Sequence, residues 1–444
     1  MVQQKGDTDV GKEPQNSDLV KRDRDMVVSG PRRWPELFIV TGKGSRLTDA
    51  NGNSYTDLTA GGTACNVGHN NDSVIKAIYD QAEALVHVGY QSAAHRPEVE
   101  LAGVLRSIAP HNLSEGKVAF TNSGSEAIDV ALRIAMLSTK RHVFLTYQSS
   151  HHGSSIAGSW VSGDIGLREG IAPRGLDVVF IPYPYCYRCP LGLKYEDCEL
   201  ACIEYARRAL ARDVHVEEVA CLLLEPVQQA AGIIVPPKEY FGEIGKLCRE
   251  HEIMMIDDEV ATGLGRTGRM FGLDNFGISA NMLTLGKPLA SGMPLGAVIG
   301  EEELMSQAAK SIHALESGAA NPICCAASIE SIRLIRENNL EKRAAAMGEE
   351  VMRRLRDLGE DVEGIGEVRG LGLMIGVELV KNRRSKEPDS ERATRVVREA
   401  AKSGVLIDRA GPHKNVLKIT PPLNIPAEDM TRSIDVVEKI LVKP

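Results

Sequence analysis

From about residue 116 onward, short apolar runs alternate with longer amphipathic segments, and this alternation restricts the possible folds more than any other feature. VAFT is followed by SEAIDVALRIAML and HVFLTY, and further along CLLLEP, YFGEIGKLCREHEI and MMIDDEV repeat the order. The short runs predict buried strands, and the longer segments have the apolar spacing of helices. The pattern therefore predicts an α/β fold in which helices cover both faces of a mostly parallel sheet.

The flanking regions predict smaller units. Residues 1–25 are polar and predict a loosely held tail, whereas residues 36–60 predict a small hairpin around the turn Asn51–Gly52. Segments 72–88 and 98–108 have helical apolar spacing, and a long helix begins near residue 325. We divide the chain into an N-terminal tail and segment joining the small domain, a large α/β domain and a C-terminal small α+β domain, with the bounds 1–75, 76–325 and 326–444.

The composition excludes several classes of protein. The chain has 444 residues, 43% hydrophobic and 25% charged, which suits two or three globular units and rules out a disordered scaffold. Its 52 lysines and arginines are outnumbered by 60 acidic residues, so there is no basic surplus for binding nucleic acid. No apolar run approaches the ~20 residues that span a bilayer, and the N-terminus lacks the apolar core of a signal peptide. We expect a cytoplasmic protein that binds neither nucleic acid nor membrane.

The segment FTNSGSEAIDVALR, residues 120–133, joins a strand ending at Thr121 to a helix predicted to start at Glu126. The turn between them offers backbone N–H groups at the positive end of the helix dipole, and Ser123 and Ser125 add hydroxyl donors. Such a turn suits a phosphate group. A simple N-cap at Ser125 explains the same residues equally well.

The segment MMIDDEVATGLGRTGRMFG, residues 254–272, places Asp257, Asp258 and Glu259 at the C-terminal end of an apolar strand. Ligands of open parallel sheets bind at that edge, where a carboxylate is able to hold a protonated ring nitrogen. For Asp257 and Glu259 we favour the plainer interpretation, a helix N-cap or a solvated turn.

The segment MLTLGKPLASGMPLGAVIG, residues 282–300, places Lys287 between an apolar run and a glycine-rich stretch. A lysine in a dry turn can act as a Schiff-base amine, although most lysines are surface charges. The phosphate turn, the acidic strand end and the lysine together match pyridoxal 5′-phosphate. This cofactor needs an anchor for its phosphate, a carboxylate for its pyridine nitrogen and an amine for its aldehyde.

Specific motifs run from about residue 35 to the C-terminus, in the order TDLTAGGTACNVGHN, FTNSGSEA, HHG, EPVQ, DDEVATGLGRTG, LTLGKPLASGMPLGAV, NP and NVLKITPPL. In these motifs the chain resembles the class III (ω-) aminotransferases, a family of fold-type I pyridoxal-phosphate enzymes. The resemblance implies a large domain with a seven-stranded, mostly parallel sheet and a smaller α+β domain from the C-terminus and the N-terminal segment. It also implies a homodimer or a dimer of dimers, with active sites at the subunit interface.

The resemblance implies roles for four residues around the cofactor ring. Lys287 forms the Schiff base with the cofactor and then moves the proton between Cα and C4′. Asp258 pairs with the pyridine nitrogen and keeps it protonated, so that the ring accepts electrons. Val260 packs on one face of the ring, and His151 lies where the family usually stacks Tyr, Phe or Trp on the other face.

Further residues are implied to hold the phosphate and to shape the site. Gly124 and Ser125 cradle the phosphate, next to the hydroxyl of Ser123. Ser317 matches a Thr that reaches the phosphate from the partner subunit. Glu225 matches a buried acid near the cofactor.

The chain departs from the family at three positions. Ala261 replaces a Gln that bonds the ring hydroxyl, and Ala230 replaces a Glu that forms a switch with a C-terminal Arg. Lys418 replaces that Arg, which holds the substrate carboxylate. Lysine lacks the bidentate fork of arginine, so the usual carboxylate clamp is in doubt, although Lys418 is still a candidate for binding a carboxylate, sulfonate or phosphate.

We favour transamination, in which an ω-amino acid, amine or amino acid gives its amino group to a keto acid such as pyruvate or 2-oxoglutarate by a ping-pong mechanism. AGPHKNVLK and LGKP also resemble the phospho-lyase branch of the family, which eliminates phosphate from amino-alcohol phosphates. A phospho-lyase or ammonia-lyase and an amino-acid racemase are therefore alternatives. Because both Lys287 and Asp258 are present, a fold used only for binding is disfavoured.

Four of the nine cysteines cluster in YPYCYRCPLGLKYEDCELACI, residues 183–203. Cys186, Cys189, Cys198 and Cys202 have a spacing that suits a tetrahedral zinc ion or local disulfides, and free thiols are the third alternative. Nothing links the cluster to catalysis, and we assign no metal to the predicted active site.

Overall fold

The computed structural model of the protein describes residues 15–28, 34, 36–171, 175–309 and 317–443. Its strands are β1 (Ile39–Lys43), β2 (Arg46–Asp49), β3 (Ser54–Asp57), β4 (Lys117–Thr121), β5 (Val143–Tyr147), β6 (Asp177–Ile181), β7 (Val219–Leu224), β8 (Met254–Asp258), β9 (Met282–Leu285), β10 (Gly296–Gly300), β11 (Ile365–Leu371), β12 (Met374–Leu379), β13 (Val405–Leu406), β14 (Asp408–Ala410) and β15 (Val416–Ile419).

Its helices are α1 (Asn16–Met26), α2 (Ala60–Thr63), α3 (Asp72–Ala84), α4 (Arg96–Ile108), α5 (Gly124–Thr139), α6 (Ile156–Val161), α7 (Ile165–Arg168), α8 (Ala201–Arg212), α9 (Tyr240–Glu250), α10 (Glu302–Ala309), α11 (Pro322–Glu337), α12 (Leu340–Asp361), α13 (Ser390–Lys402) and α14 (Ala427–Leu441). Across the described ranges, none of these helices is both long and apolar enough to cross a membrane.

The largest sheet has seven strands in the order β4-β10-β9-β8-β7-β5-β6. Strand β10 is antiparallel to both of its neighbours, and the pairs from β9 through to β6 are parallel. The predicted α/β fold with a seven-stranded, mostly parallel sheet is therefore confirmed.

Both faces of this sheet are covered, which explains why its strands read as continuous apolar runs. All six residues of β7 are buried. Leu222 and Leu224 pack in the apolar cluster that contains residues of α8 and α9, whereas Ala220 and Leu223 pack in the cluster that contains residues of α5. Alternate side chains of one strand thus enter opposite layers, as a three-layer arrangement requires.

Two four-stranded sheets, β1-β2-β3-β13 and β11-β12-β15-β14, lie outside the large sheet. In the first, β13 pairs in parallel with β3, so the N-terminal and C-terminal parts of the chain share a sheet. The predicted hairpin at 36–60 is an antiparallel meander of three strands, with its second turn at Asn51–Gly52. Gly52 has φ +84°, a conformation that favours glycine. The domain bounds at 75 and 325 stay a prediction.

The prediction of a loose tail was wrong for residues 16–25, which belong to α1 (Asn16–Met26). The buried Asn16 fastens this helix to the next segment: its side-chain amide donates to the carbonyl oxygen of Glu36 (2.5 Å) and accepts from the backbone N–H of Phe38 (2.7 Å). One buried polar side chain, and not an apolar stripe, holds the helix, so apolar periodicity could not reveal it. Residues 1–14 of the predicted tail lie outside the described residues.

Strands β4, β5, β7, β8 and β9 run in the same direction, so their carboxyl ends meet at one edge of the sheet. The segments that follow them contain residues 122–125, 148–154, 225–230, 259–261 and 286–287. Binding sites of open parallel sheets form at this edge.

Candidate active site

A cavity of about 200 Å³ opens at the carboxyl edge of the large sheet. Eight of the ten site residues predicted from the sequence line it: Ser123, Gly124, Ser125, His151, Glu225, Asp258, Val260 and Lys287. Its lining also contains Ile128, His152, Gly153, Ser154, Gln229, Ala230 and Ala261. Residues separated by more than 150 positions in the sequence therefore share one site. They include the residues that were predicted to contact the phosphate, the ring and the aldehyde of the cofactor.

The predicted phosphate turn lies at the start of α5, which begins at Gly124 and not, as predicted, at Glu126. Ser123 is the N-cap, because its Oγ accepts a hydrogen bond from the backbone N–H of Glu126 (3.2 Å). The hydroxyl of Ser125 accepts instead from the backbone N–H of Ser154 (3.2 Å). The N-cap is therefore Ser123 and not Ser125, as the plainer interpretation had it. Ser125 instead links α5 to the loop after β5.

Two glycines keep the start of α5 open. A Cβ atom at Gly153 would lie 2.4 Å from Oγ of Ser125, and Gly153 has φ +103°. A Cβ atom at Gly124 would lie 2.6 Å from Cγ1 of Val260. Only glycine permits this close approach, which leaves backbone N–H groups of a helix N-terminus facing the cavity, as a phosphate group requires.

Asp258 ends β8 and is held by a histidine that the sequence analysis did not single out. Nδ1 of His152 lies 2.7 Å from Oδ2 of Asp258, and both side chains are buried. The backbone N–H of Val260 donates to Oδ1 of Asp258 (3.1 Å), and Nε2 of His152 lies 3.3 Å from Oγ1 of Thr146. The second histidine of the HHG motif was the sequence signal that could have identified His152. The His152 side chain orients the Asp258 carboxylate, which lines the cavity.

The interpretation of Asp257 and Glu259 as a solvated turn or a cap was wrong, because both side chains are buried. Side chains alternate along a strand, so these two point away from the face that carries Asp258. Glu259 accepts from the hydroxyl of Thr262 (2.5 Å) and the backbone N–H of Leu273 (3.0 Å). Burial raises the pKa of Glu259 to about 7, and burial with the nearby charge of Glu259 raises the pKa of Asp257 well above its usual range.

Lys287 lies two residues after the end of β9 and has φ +34°. Its neighbour Gly286 packs against the start of α5, where an added Cβ would lie 2.8 Å from Cα of Gly124. This contact brings the lysine beside the predicted phosphate turn.

His151 lies on the wall formed by the loop after β5. Nδ1 of His151 is buried, has no hydrogen-bond partner among the residues that the structure describes, and lies 3.9 Å from Oδ2 of Asp164. Burial and the positive charge of Lys287 lower the pKa of His151. The imidazole is therefore neutral near pH 7, with one ring nitrogen able to exchange a proton.

Glu225 is buried behind His151. Its Oε1 accepts a hydrogen bond from the backbone N–H of His151 (2.9 Å), and Tyr183 donates to its backbone carbonyl (3.0 Å). Burial raises the pKa of Glu225 to about 7, and the negative charge of Asp258 acts in the same direction. The acid that the resemblance implied near the cofactor thus lines the cavity.

The two remaining predicted residues lie elsewhere. Lys418 on β15 is not part of the cavity lining, and its Nζ lies 2.9 Å from Oδ2 of Asp408 on β14, with 9% of each side chain exposed. Ser317 is exposed in a turn that precedes α11. Its contact with a partner subunit stays a prediction.

Cys186, Cys189, Cys198 and Cys202 all line one small apolar cavity in the 183–203 segment, and all four are free thiols. Burial raises the pKa of Cys186 to about 11 and that of Cys202 to about 12. Within the described ranges, no three His, Cys, Asp or Glu side chains are gathered in a way that would hold a metal ion. The choice among zinc, local disulfides and free thiols for this cluster stays a prediction.

The cysteine-containing segment is fastened to β12. Tyr185 and Arg188 both donate to the carboxylate of the buried Glu378, which also pairs with Arg369 at 2.6 Å. Arg369 in turn donates to the carbonyl oxygen of Gly232, in the loop after β7. The segment therefore joins the large sheet to one of the smaller ones.

The fold and the cavity together define a fold-type I enzyme that depends on pyridoxal phosphate. The sequence model of the family described as Aminotransferase class-III matches residues 29–441. The chain belongs to the class III aminotransferase family, which confirms the resemblance.

Relatives within the family differ in reaction. The chain is 39% identical to a leucine/methionine racemase of Thermococcus litoralis, over 92% of this chain and 91% of that protein. It is 38% identical to an isoleucine 2-epimerase of Lentilactobacillus buchneri, over 97% of this chain and 95% of that protein. It is 32% identical to a probable 4-aminobutyrate aminotransferase of Bacillus subtilis, over 94% of this chain and 95% of that protein.

Solved structures agree on the fold and the cofactor. An amine transaminase from an uncultivated Pseudomonas species, in its pyridoxal-phosphate-bound form, has a TM-score of 0.87 and 28% identity and covers 94% of this chain and 97% of its own. An ω-transaminase from Thermomicrobium roseum has a TM-score of 0.89 and 28% identity, with 97% and 99% covered. The cofactor of this chain is pyridoxal 5′-phosphate, and the open helix start, Asp258 and Lys287 fit its phosphate, ring nitrogen and aldehyde.

Proposed function

We propose that the protein is a racemase or epimerase of neutral α-amino acids. One observation carries the proposal: two side chains able to move a proton, Lys287 and His151, line the same cavity from different strand ends. Racemisation needs a group that removes the Cα proton from one side and a group that returns a proton from the other. The sequence motifs favoured transamination over this reaction, whereas the two relatives of higher identity among those described support racemisation or epimerisation.

The cofactor, when bound, supplies an acceptor for the electron pair of the Cα–H bond and so makes that proton acidic. The protein residues supply the proton transfers. Lys287 removes or returns the proton on its side of the cavity. His151, neutral because its pKa is lowered, does the same on the other side, and Oδ2 of Asp164, 3.9 Å from Nδ1, stabilises the protonated imidazole.

The other cavity residues hold the cofactor in position. Asp258, oriented by His152, keeps the ring nitrogen protonated by a charge-assisted hydrogen bond. Ser125 and the backbone at Gly124 hold the phosphate at the positive end of α5. Both contacts keep the ring still while the proton is exchanged on either side.

Space for the substrate side chain lies beyond Ala230. This residue lines both the site cavity and an adjoining one of about 440 Å³, whose wall includes Ala231, Gly411 and Pro412, with Asp164 and Lys414 as its charged members. A small residue at position 230 lets an aliphatic side chain pass from one cavity to the other. The racemase and the epimerase described above are named for amino acids with such side chains.

Transamination is the second candidate. It needs a single proton-transfer group, Lys287, and the Bacillus subtilis relative is a probable aminotransferase. The two reactions share every cofactor contact and differ in whether His151 returns a proton.

We also propose that the working form is a homodimer. Large exposed apolar side chains occur on α3, on α4 and in the segment between them, namely Tyr79, Val99 and Val86. The amide of Asn321 donates to the carbonyl of Val86, which places this surface beside the turn that contains Ser317. Large exposed apolar side chains near the turn that contains Ser317 favour a protein interface on this side of the molecule.

The test is a chiral assay without an amino acceptor. Purified holoenzyme is mixed separately with the L and D forms of leucine, methionine and isoleucine, and the products are separated on a chiral column. Racemisation drives both forms of leucine, and both forms of methionine, to the same mixture without keto acid. Isoleucine is inverted at Cα alone, so L-isoleucine gives D-allo-isoleucine and D-isoleucine gives L-allo-isoleucine. Lys287→Ala abolishes all of these conversions. If the amount of keto acid formed does not exceed the amount of enzyme, and further turnover needs pyruvate or 2-oxoglutarate, the protein is a transaminase.

A further inference from the structure

Two adjacent glutamines in the loop after β7 differ in which amide atom lacks a partner: Oε1 in Gln228, an acceptor, and Nε2 in Gln229, a donor. Gln228 is 1% exposed, and its Nε2 donates to the carbonyl oxygen of Gln148 (3.1 Å). Gln229 is 7% exposed and lines the active-site cavity, and its Nε2 has no hydrogen-bond partner in the part of the chain that the structure describes. A buried amide donor without a partner is unfavourable, so its presence in a cavity indicates that a bound molecule accepts from it.

The backbone holds Gln229 in this place. Its carbonyl oxygen accepts from the backbone N–H groups of Gly232 and Ile233, both at 3.2 Å. Gly232 is tied in turn to the guanidinium of the buried Arg369 (2.7 Å). These bonds hold the backbone of the loop, and with it the position of Gln229 in the cavity wall.

The geometry of an α-amino acid limits which oxygen Gln229 meets. The amine and the carboxylate are attached to the same carbon, so the group that binds the carboxylate must line the same cavity as Lys287. Lys287 is the only lysine or arginine among the described residues that do so, and Lys414 lines the adjoining cavity instead. Lys418 is neutralised in its buried pair with Asp408.

The other side-chain donors of the cavity have other tasks. Ser123, Ser125 and Ser154 lie together at the phosphate turn, where Oγ of the first two accepts backbone N–H groups, so their hydroxyl hydrogens are assigned to the phosphate. Both ring nitrogens of His152 have partners, at Asp258 and Thr146. The amide of Gln229 and the imidazole of His151 are left, and His151 has the proton-transfer role proposed above.

We infer that the side-chain amide of Gln229 binds the α-carboxylate of the substrate. The inference rests on the proposed function in that the substrate is an α-amino acid. A neutral donor takes the place of a cation here, so the α-carboxylate is bound by hydrogen bonding to an uncharged amide.

The test measures binding with three probes of one shape: leucine, isoamylamine, which lacks the carboxylate, and isocaproate, which lacks the amine. Leucine and isoamylamine are titrated into holoenzyme through the change in its visible absorption band, and isocaproate through the shift in melting temperature. The variant is Gln229→Met, of similar length but without an N–H. Gln228→Met is the matched control.

We expect Gln229→Met to weaken leucine and isocaproate binding by about tenfold to a hundredfold, the effect of one hydrogen bond to a charged group, and to leave isoamylamine unchanged. Gln229→Glu, which adds a like charge and serves if the Met variant folds poorly, should weaken the two carboxylates further. Gln228→Met should keep the wild-type preference for leucine over isoamylamine.

Equal loss for all three probes, or no loss for the two carboxylates, would overturn the inference. These binding results do not depend on whether the reaction is racemisation or transamination. If the leucine preference disappears in Gln229→Met while the chiral assay finds no D-leucine with the wild type, the proposed function fails and the assignment of Gln229 stands. If the wild type does not prefer leucine to isoamylamine, the assignment of Gln229 fails, and the chiral assay alone decides the proposed function.

Discussion

Nδ1 of His152 and Oδ2 of Asp258 are 2.7 Å apart in a buried pair that joins the loop after β5 to the end of β8. A carboxylate at this edge keeps its charge toward a ring nitrogen only if other donors hold it. The backbone N–H of Val260 is one (3.1 Å), and the hydroxyl of Thr284 is a weak second at 3.5 Å. The short contact with His152 is the stronger side-chain interaction.

Replacing His152 by Ala should therefore weaken cofactor binding by about tenfold to a hundredfold, because Asp258 loses a charge-assisted hydrogen bond. Fluorescence titration of the apoenzyme with pyridoxal phosphate measures this. Thr284→Val is the control, and its effect should be less than about threefold because the contact is long. Equal effects of the two variants would show that His152 does not orient Asp258.

Glu225 should make stability depend on pH. Burial raises its pKa from 4.5 to about 7, so between these values the folded state keeps a proton that the unfolded state has lost. Stability falls as the pH rises through this window, by up to about 3 kcal/mol for this group. Glu225→Gln has no such proton, so its free energy of unfolding should rise relative to that of the wild type as the pH rises. The difference between the two free energies should become constant above about pH 7. Urea unfolding of both apoenzymes across this range is the measurement, and a constant difference would contradict the assignment.

Gly153 should tolerate no side chain. Gly153→Ala places a Cβ 2.4 Å from Oγ of Ser125 at φ +103°, so we expect a loss of at least about 2 kcal/mol in the free energy of unfolding and weaker cofactor binding. Gly103→Ala is matched to it, since Gly103 lies in α4 with open space around its Cβ position. That substitution should be neutral or stabilising by up to about 1 kcal/mol. Thermal unfolding and cofactor titration distinguish the two.

Lys418 and Asp408 should behave as a structural pair. Lys418→Met or Asp408→Asn alone leaves a buried charge without its partner and should cost about 3–5 kcal/mol of stability. The double variant should recover part of this loss in a double-mutant cycle followed by urea unfolding. In Lys418→Met the preference for leucine over isoamylamine should be kept. Additive losses of stability in the double variant would contradict the structural pair. A lost preference for leucine over isoamylamine in Lys418→Met would support a role of Lys418 in substrate binding.

The residues proposed to hold the cofactor could be brought together from the sequence because each lies within a few positions of a strand end. Asp258, Lys287 and the turn at Ser123–Ser125 have local signals, namely an apolar run that stops and a glycine-rich or acidic stretch that follows. Parallel strands bring such ends to one edge, so local patterns were enough to assemble this part of the site.

The remaining features depend on contacts that no local pattern records. The burial of Asp257 and Glu259 follows from what covers the other face of β8, and the helix at 16–26 follows from one buried asparagine. The pairing of Lys418 depends on the register of β14 and β15. The unpartnered amide of Gln229 became visible only once the contacts of its neighbours were known.

The central claim, proton transfer from two sides of the substrate, is tested most directly in heavy water with the variant His151→Phe, which keeps a ring over the cofactor but has no exchangeable proton. The holoenzyme is incubated with L- and D-leucine, and deuterium at Cα is followed by mass spectrometry after chiral separation. We predict that one enantiomer still exchanges its Cα proton with retention, through Lys287, while interconversion falls by at least about a hundredfold. Interconversion at a rate close to that of the wild type would contradict the account.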